Sequence, residues 1–288
     1  MIQKKTGEKV SEQSAQTLPE TDAQHQPHES RKSIWREYFE LAITSAIMAM
    51  FVITFAVQTV AVPTGSMQNT ILIGDRLLVN KFIFAPGPHV PFLPQREIRR
   101  GDIIVFKWPG NKDNPALQAD PANIPYKTNY LKRVIGLPGD RLEVRGARVL
   151  INDQPLSEHT IVAIDYNDKA PDRIISVTPR RDNDSYSVYY NPDTIHDTEQ
   201  SFERSVPYFR YGTNGTPVTI PANHYFVMGD NRDNSLDSRA WGFVPRELVI
   251  GRPAFVLWSY DESAPSNGNF LLNFIRNTRW SRSGTIVR

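Results

Sequence analysis

From Leu41 to Val62 the chain carries no charged residue. As a helix rising 1.5 Å per residue, this run spans about 33 Å, enough to cross the hydrocarbon core of a bilayer. Thr44, Ser45, Thr54 and Gln58 temper its hydrophobicity without breaking it. The competing reading is a buried helix of a soluble domain, but no charge punctuates any face. Arg31, Lys32 and Arg36 flank the N-terminal side. The positive-inside bias then places the N-terminus in the cytoplasm and everything after Val62 outside. A cleaved leader fits less well, because the run is long, starts late and is followed by no clear small-x-small site.

Where the apolar run stops, the sequence reads Ala61-Val62-Pro63-Thr64-Gly65-Ser66-Met67-Gln68-Asn69-Thr70. Pro63 and Gly65 predict a tight turn that displays the Ser66 hydroxyl on the far side of the span. The remaining chain is long enough for one or two domains with a real core. A net charge of +2 is too small to argue for nucleic acid, and zero cysteines exclude disulfides, thiolate metal sites and thiol nucleophiles.

The expected organisation is mostly β. Antiparallel sheets form a catalytic core carrying a smaller inserted β domain, all preceded by one N-terminal transmembrane helix. Residues 1–36 form a cytoplasmic tail; 1–33 are almost devoid of apolar side chains and are expected to be disordered. The helix is expected over 37–62. The core spans 63–152 and resumes over 222–258. Between them, 153–221 is rich in Asp, Asn, Thr, Tyr and Pro and reads as the insert, since a structureless loop of that length is unusual. Ile103–Phe106, Asn129–Ile135, Leu142–Val144, Val149–Ile151, His224–Met228 and Leu248–Trp258 read as strands, whereas Pro86–Pro94 and 109–126 read as irregular. The tail, 259–288, combines Leu271, Phe274 and Ile275 with several arginines. A short helix on an anionic membrane surface and a solvated end are both compatible with it.

A serine hydroxyl barely ionises at neutral pH and needs a base. Of the six histidines, His25 and His28 lie in the tail, His89 in a proline-rich loop, and His159 and His196 in the insert. His224 opens a strand. None has the surroundings of a Ser-His-Asp triad. Lysine is the alternative, provided that burial lowers its pKa. Lys81, Lys107, Lys127 and Lys132 lie near apolar strands. In Tyr130-Leu131-Lys132-Arg133-Val134, alternation puts Tyr130, Lys132 and Val134 on one face. A snorkelling edge lysine is the competing reading. The densest polar stretch, Gly229 to Gly242, is readable as a hydrophilic turn, a rigid hydrogen-bonded scaffold or a calcium loop. Arg232 and Arg239 fall among its carboxylates, and its spacing departs from an EF-hand.

Four segments together resemble bacterial type I signal peptidases. Pro63–Thr70 is similar to the nucleophile box, Arg100–Phe106 to a strand box, Tyr130–Asp140 to the lysine box and Gly229–Gly242 to the last box. Their order matches, and the resemblance covers about residues 37–258. It implies a membrane-bound serine endopeptidase with a Ser66–Lys132 dyad, in the bacterial cytoplasmic membrane, with signal peptides of exported preproteins and the lipid bilayer as partners. No cofactor and no metal are implied. Cleavage would follow small residues at −1 and −3. The Ser66 backbone N–H and the Thr64 hydroxyl would form the oxyanion hole. Ser235 would hold the Lys132 amine. Val62, Met67, Ile71, Tyr130 and Leu131 would line the substrate pockets. Arg133 with Asp230, and Asp237 with Arg239, would be scaffold salt bridges. The family usually has proline where Asn69 stands, which puts the turn behind Ser66 in question. Two other readings remain: a non-enzymatic extracytoplasmic assembly factor, and a soluble self-cleaving repressor-type protease with the same dyad.

Overall fold

A computed structural model describes residues 34–87, 95–111, 124–164, 173–177, 179–192, 209–213, 215–266 and 268–288. The polar tail up to residue 33, the proline-rich loop from 88 to 94, most of the irregular stretch within 109–126, and His25, His28, His89 and His196 lie outside these residues.

Contacts divide the chain into Met1–Ala46 and Ile47–Arg288. Helix α1, Ile34–Phe51, buries none of its residues and runs into a π-helical turn, Val52–Ala56. Together Ile34–Ala56 is long and apolar enough to cross a membrane. Beyond Arg36, Glu37 and Glu40 near its start the segment is uncharged, and a helix satisfies its own backbone hydrogen bonds, which is what a crossing of lipid requires.

The helix stops six residues short of the expected Val62. Val57–Ala61 is strand β1, and it pairs antiparallel with β2, Asp75–Asn80, from Val57 opposite Asn80 to Ala61 opposite Arg76. An apolar run has no periodicity of its own that separates buried helix from buried strand. Here a partner strand supplies the backbone hydrogen bonds, and β-branched Val57, Thr59 and Val60 suit the pleat.

The further strands are β3 (Ile103–Lys107), β4 (Asn129–Gly136), β5 (Arg141–Arg145), β6 (Arg148–Ile151), β7 (Gln154–Pro155), β8 (His159–Ile164), β9 (Arg173–Val177), β10 (Ser187–Tyr190), β11 (Val218–Thr219), β12 (His224–Met228), β13 (Val244–Pro245) and β14 (Val249–Ser259). Two short helices are α2, Ser238–Trp241, and α3, Phe270–Asn277. The main sheet has the order β1-β2-β14-β3-β4-β12-β13, all antiparallel. A second sheet, β11-β5-β6-β7, draws β5 and β6 from ahead of residue 153, and a third is β10-β8-β9. Only the β8–β10 pair is parallel among the described strands.

Alternation along β4 fixes the site. Val134 and Tyr130 pack with Phe106, Trp108 and Trp241; Leu131 packs on the opposite side with Met67 and Ile71. Lys132 lies opposite Ile104 of β3, one residue before the stretch of β4 that pairs with β12.

Candidate active site

Ser66 is the middle residue of a 3-10 turn, Gly65–Met67, entered from extended Thr64. Rather than being displayed, it is only 9% exposed. Lys132, 2% exposed, donates from Nζ to Ser66 Oγ at 2.5 Å. The lysine therefore does not snorkel. Its Nζ also lies 5.4 Å from the centre of the Tyr130 ring, and that ring stacks on Trp108 and meets Trp241 edge-on.

Burial lowers the Lys132 pKa from 10.5 to about 8; the Asp237 carboxylate pushes it back up, the Arg239 guanidinium down, and Asp230 up. Desolvation disfavours the ammonium and wins, because both nearby carboxylates are neutralised by their own arginines. A buried amine with a lowered pKa next to a serine hydroxyl has the chemistry to take up that hydroxyl's proton.

The Ser66 turn is held by the 229–242 loop. Asn231 N donates to Ser66 O at 3.1 Å. Thr70 Oγ1 donates to Asp230 Oδ2 at 2.7 Å. The approach is so close that a Cβ on Gly229 would sit 2.4 Å from Ser66 O and 2.3 Å from Ser235 Oγ, so only glycine fits.

Arg133 forks onto Asp230, Nε to Oδ1 at 2.7 Å and Nη2 to Oδ2 at 2.6 Å, with its face over the Tyr186 ring. Asp237 caps α2, accepts from Arg239 Nη2 at 2.8 Å, and receives the Gly229 N–H. Burial would raise the Asp237 carboxyl, but the Arg239 charge and hydrogen bonds from Arg239, Gly229 and Ser235 hold it below the usual carboxylate range. With Asp230 and Asp237 both facing guanidiniums, the calcium-loop reading loses two of its three carboxylates.

Ser235 Oγ donates to Asp237 Oδ2 at 2.8 Å, and Lys132 Nζ donates to Ser66 Oγ. Val62, Met67 and Ile71 are buried in one cluster against which Leu131 packs, so they form a filled floor rather than an open pocket. Tyr130 belongs to the other face of β4. Thr64 is exposed, and its hydroxyl makes no hydrogen bond among the described residues. The Ser66 N–H lies in the first turn of its 3-10 segment, where no carbonyl of that turn can accept it.

Asn69 adopts φ 68°. Proline, fixed near −65°, cannot take that conformation, whereas asparagine is among the few side chains that do.

Sequence reading missed the buried pair between Arg232 and Glu158. Arg232 Nη1 donates to Glu158 Oε2 at 2.9 Å, Tyr186 OH donates to Glu158 Oε1 at 2.8 Å, and Arg232 Nη1 reaches Tyr190 OH at 3.2 Å. It also missed Arg282 on Asp75. Nothing local marks either pair, because the partners are far apart in sequence.

The family described as "Signal peptidase, peptidase S26" matches residues 35–258. Signal peptidase I of Leptolyngbya laminosa is 31% identical over 243 residues, covering 84% of this chain and 88% of that one. Signal peptidase I of Pseudomonas aeruginosa is 32% identical over 240 residues, covering 77% and 71%. A crystal structure of a signal peptidase I from Enterococcus faecalis matches 55% of this chain and 97% of its own at 25% identity, with a TM-score of 0.28. On the extent of the sequence match, the chain belongs to the signal peptidase family, peptidase S26, and is a serine endopeptidase.

Proposed function

We propose that this enzyme removes signal peptides from exported preproteins, with Ser66 as nucleophile and Lys132 as general base. The observation that carries this reading is the 2.5 Å contact between Lys132 Nζ and Ser66 Oγ in a buried setting. In its neutral form the amine accepts the Ser66 proton as Oγ attacks the scissile carbonyl. It then hands that proton to the leaving amine, giving an acyl-enzyme, and activates the water that releases the product. The developing oxyanion is met by the Ser66 N–H and by Thr64 Oγ, which is exposed and uncommitted.

The substrate enters as an extended strand. β4 pairs with β12 only from Arg133 onward, so Asn129–Lys132 offers an open edge beside Ser66. Small side chains at −1 and −3 would lie against the apolar surface of Val62, Met67, Ile71 and Leu131, and Tyr130 walls the Lys132 side. The Arg133–Asp230 and Asp237–Arg239 pairs fix the lysine strand and the Gly229 loop in register, with Ser235 acting through Asp237. Ile34–Ala56 anchors the enzyme, with the N-terminus cytoplasmic and the catalytic residues outside. The exposed Phe270, Leu271 and Ile275 of α3, near Arg276, lie on the bilayer surface.

The test is cleavage of a preprotein bearing small residues at −1 and −3 by purified wild type, Ser66→Ala and Lys132→Ala. Both variants are expected to be inactive, and the wild-type rate to rise with pH as Lys132 loses its proton, near pH 8. Retained cleavage by Lys132→Ala overturns the dyad.

A further inference from the structure

The turn that follows Ser66 is braced from behind by residues beyond the segment matched to the family, which ends at 258. Asp75 closes this turn and is fully buried. Its carboxylate receives the Leu72 N–H at 3.0 Å from within the turn. From outside it receives Arg282, Nη2 to Oδ2 at 2.6 Å and Nε to Oδ1 at 3.2 Å. The same Arg282 Nη2 reaches Thr70 O at 3.3 Å, one residue after Asn69 with its left-handed backbone. Arg279 Nη1 donates to Ile73 O at 2.9 Å. The Tyr260 N–H donates to Gly74 O at 3.1 Å, and a Cβ on Gly74 would strike Tyr260 O at 2.0 Å. Val287 closes the apolar side, packing with Met67 and Ile71.

The turn's own backbone hydrogen bonds hold its first part, from the Gln68 N–H to Gly65 O and from the Thr70 and Ile71 N–H groups to Met67 O. The Gly229–Gly242 loop holds its front, at Ser66 O and Thr70 Oγ1. On its back, Arg282 reaches the Thr70 carbonyl, Arg279 that of Ile73, and the Tyr260 N–H that of Gly74. A planar guanidinium that forks onto one carboxylate and also touches a carbonyl locks their relative position, as a point charge cannot.

We infer that Arg282, set on Asp75 and Thr70 O, is a positioning residue for Ser66, so that the arm beyond residue 258 is part of the working site. This rests on Ser66 being the nucleophile. Loosening the back of the turn lets Oγ drift from the line of attack while leaving the substrate edge of β4 in place. A displacement of that kind is worth about 10²-fold in rate.

Steady-state cleavage of a small-x-small preprotein would be measured for full-length wild type, Arg282→Ala, Arg282→Lys, Asp75→Asn and Ser66→Ala, with unfolding temperatures alongside. Arg282→Ala is expected to lower kcat about 10- to 100-fold with KM within twofold and with the pH of half-maximal rate unmoved. Arg282→Lys should recover part of the loss. Asp75→Asn keeps the shape of the turn and serves if Arg282→Ala does not fold; it should lower kcat in the same direction. A merely structural arm would lower the unfolding temperature and leave kcat per folded molecule at the wild-type value, and that result overturns the inference. If Ser66→Ala still cleaves, the nucleophile assignment fails instead; an inactive Ser66→Ala together with wild-type kcat in the arm variants removes this inference alone.

Discussion

Replacing Lys132 by methionine should make the protein more stable while ending its activity. Lys132 is 2% exposed, and burial lowers its pKa from 10.5 to about 8. That gap corresponds to about 3 kcal/mol between the two protonation states. Below about pH 8 the folded protein carries an ionised, desolvated lysine and bears the whole of this penalty. The unfolded chain keeps its proton up to about 10.5, so between the two values the folded state releases its proton first. More protons are then bound in the unfolded state, and stability from this group rises with pH. Methionine has a similar length and no charge to desolvate, but it forfeits the hydrogen bond to Ser66 Oγ, worth about 1 kcal/mol. The net gain is about 2 kcal/mol at pH 7, or roughly 4–8 °C in Tm for a chain of this size. Near pH 10 the penalty has mostly gone, and the difference should shrink to about zero. The assay is thermal unfolding of detergent-solubilised wild type and Lys132→Met at both pH values, followed by tryptophan fluorescence. A variant no more stable than wild type at pH 7, or an advantage that persists unchanged at pH 10, would refute the argument. The expected result is a trade of stability for function, confined to one side chain.

Other substitutions probe the surroundings. Thr64→Val should lower kcat about 10²- to 10³-fold with little change in KM, and Thr64→Ser should restore it, as read from steady-state cleavage. Asn69→Pro cannot adopt φ 68° and should lower both the unfolding temperature and kcat, while Asn69→Gly should keep both near wild type. Arg133→Ala strands the buried Asp230 carboxylate and should cost about 3–5 kcal/mol in urea unfolding, with Arg133→Lys recovering only part because an ammonium cannot fork.

Much of the site was legible because it is written in short segments. The run from Leu41 gave a helix apolar enough to cross a membrane, and strand alternation from Tyr130 to Val134 assigned Lys132 its face. The four boxes in order supplied the pairing of Ser66 with Lys132. The helix end was not legible. Val57–Ala61 is as apolar as what precedes it, and only the neighbouring β2 made it a strand. That the Ser235 hydroxyl donates to Asp237 was not legible either, because a loop sequence does not say which nearby group a hydroxyl will face.

By itself the sequence determined what depends on neighbours along the chain: the uncharged span, the periods of the strands, the turn at Pro63–Ser66 and the absence of thiol chemistry. The tertiary structure alone decided what depends on groups brought together from far apart. Burial of Lys132 required β3, the Ser66 turn and the Gly229 loop to exclude water from one amine, and that exclusion sets its pKa. The Arg232–Glu158 and Arg282–Asp75 pairs arise the same way. A buried charge must find a counter-charge, but which one it finds is a property of the packing, not of the spacing.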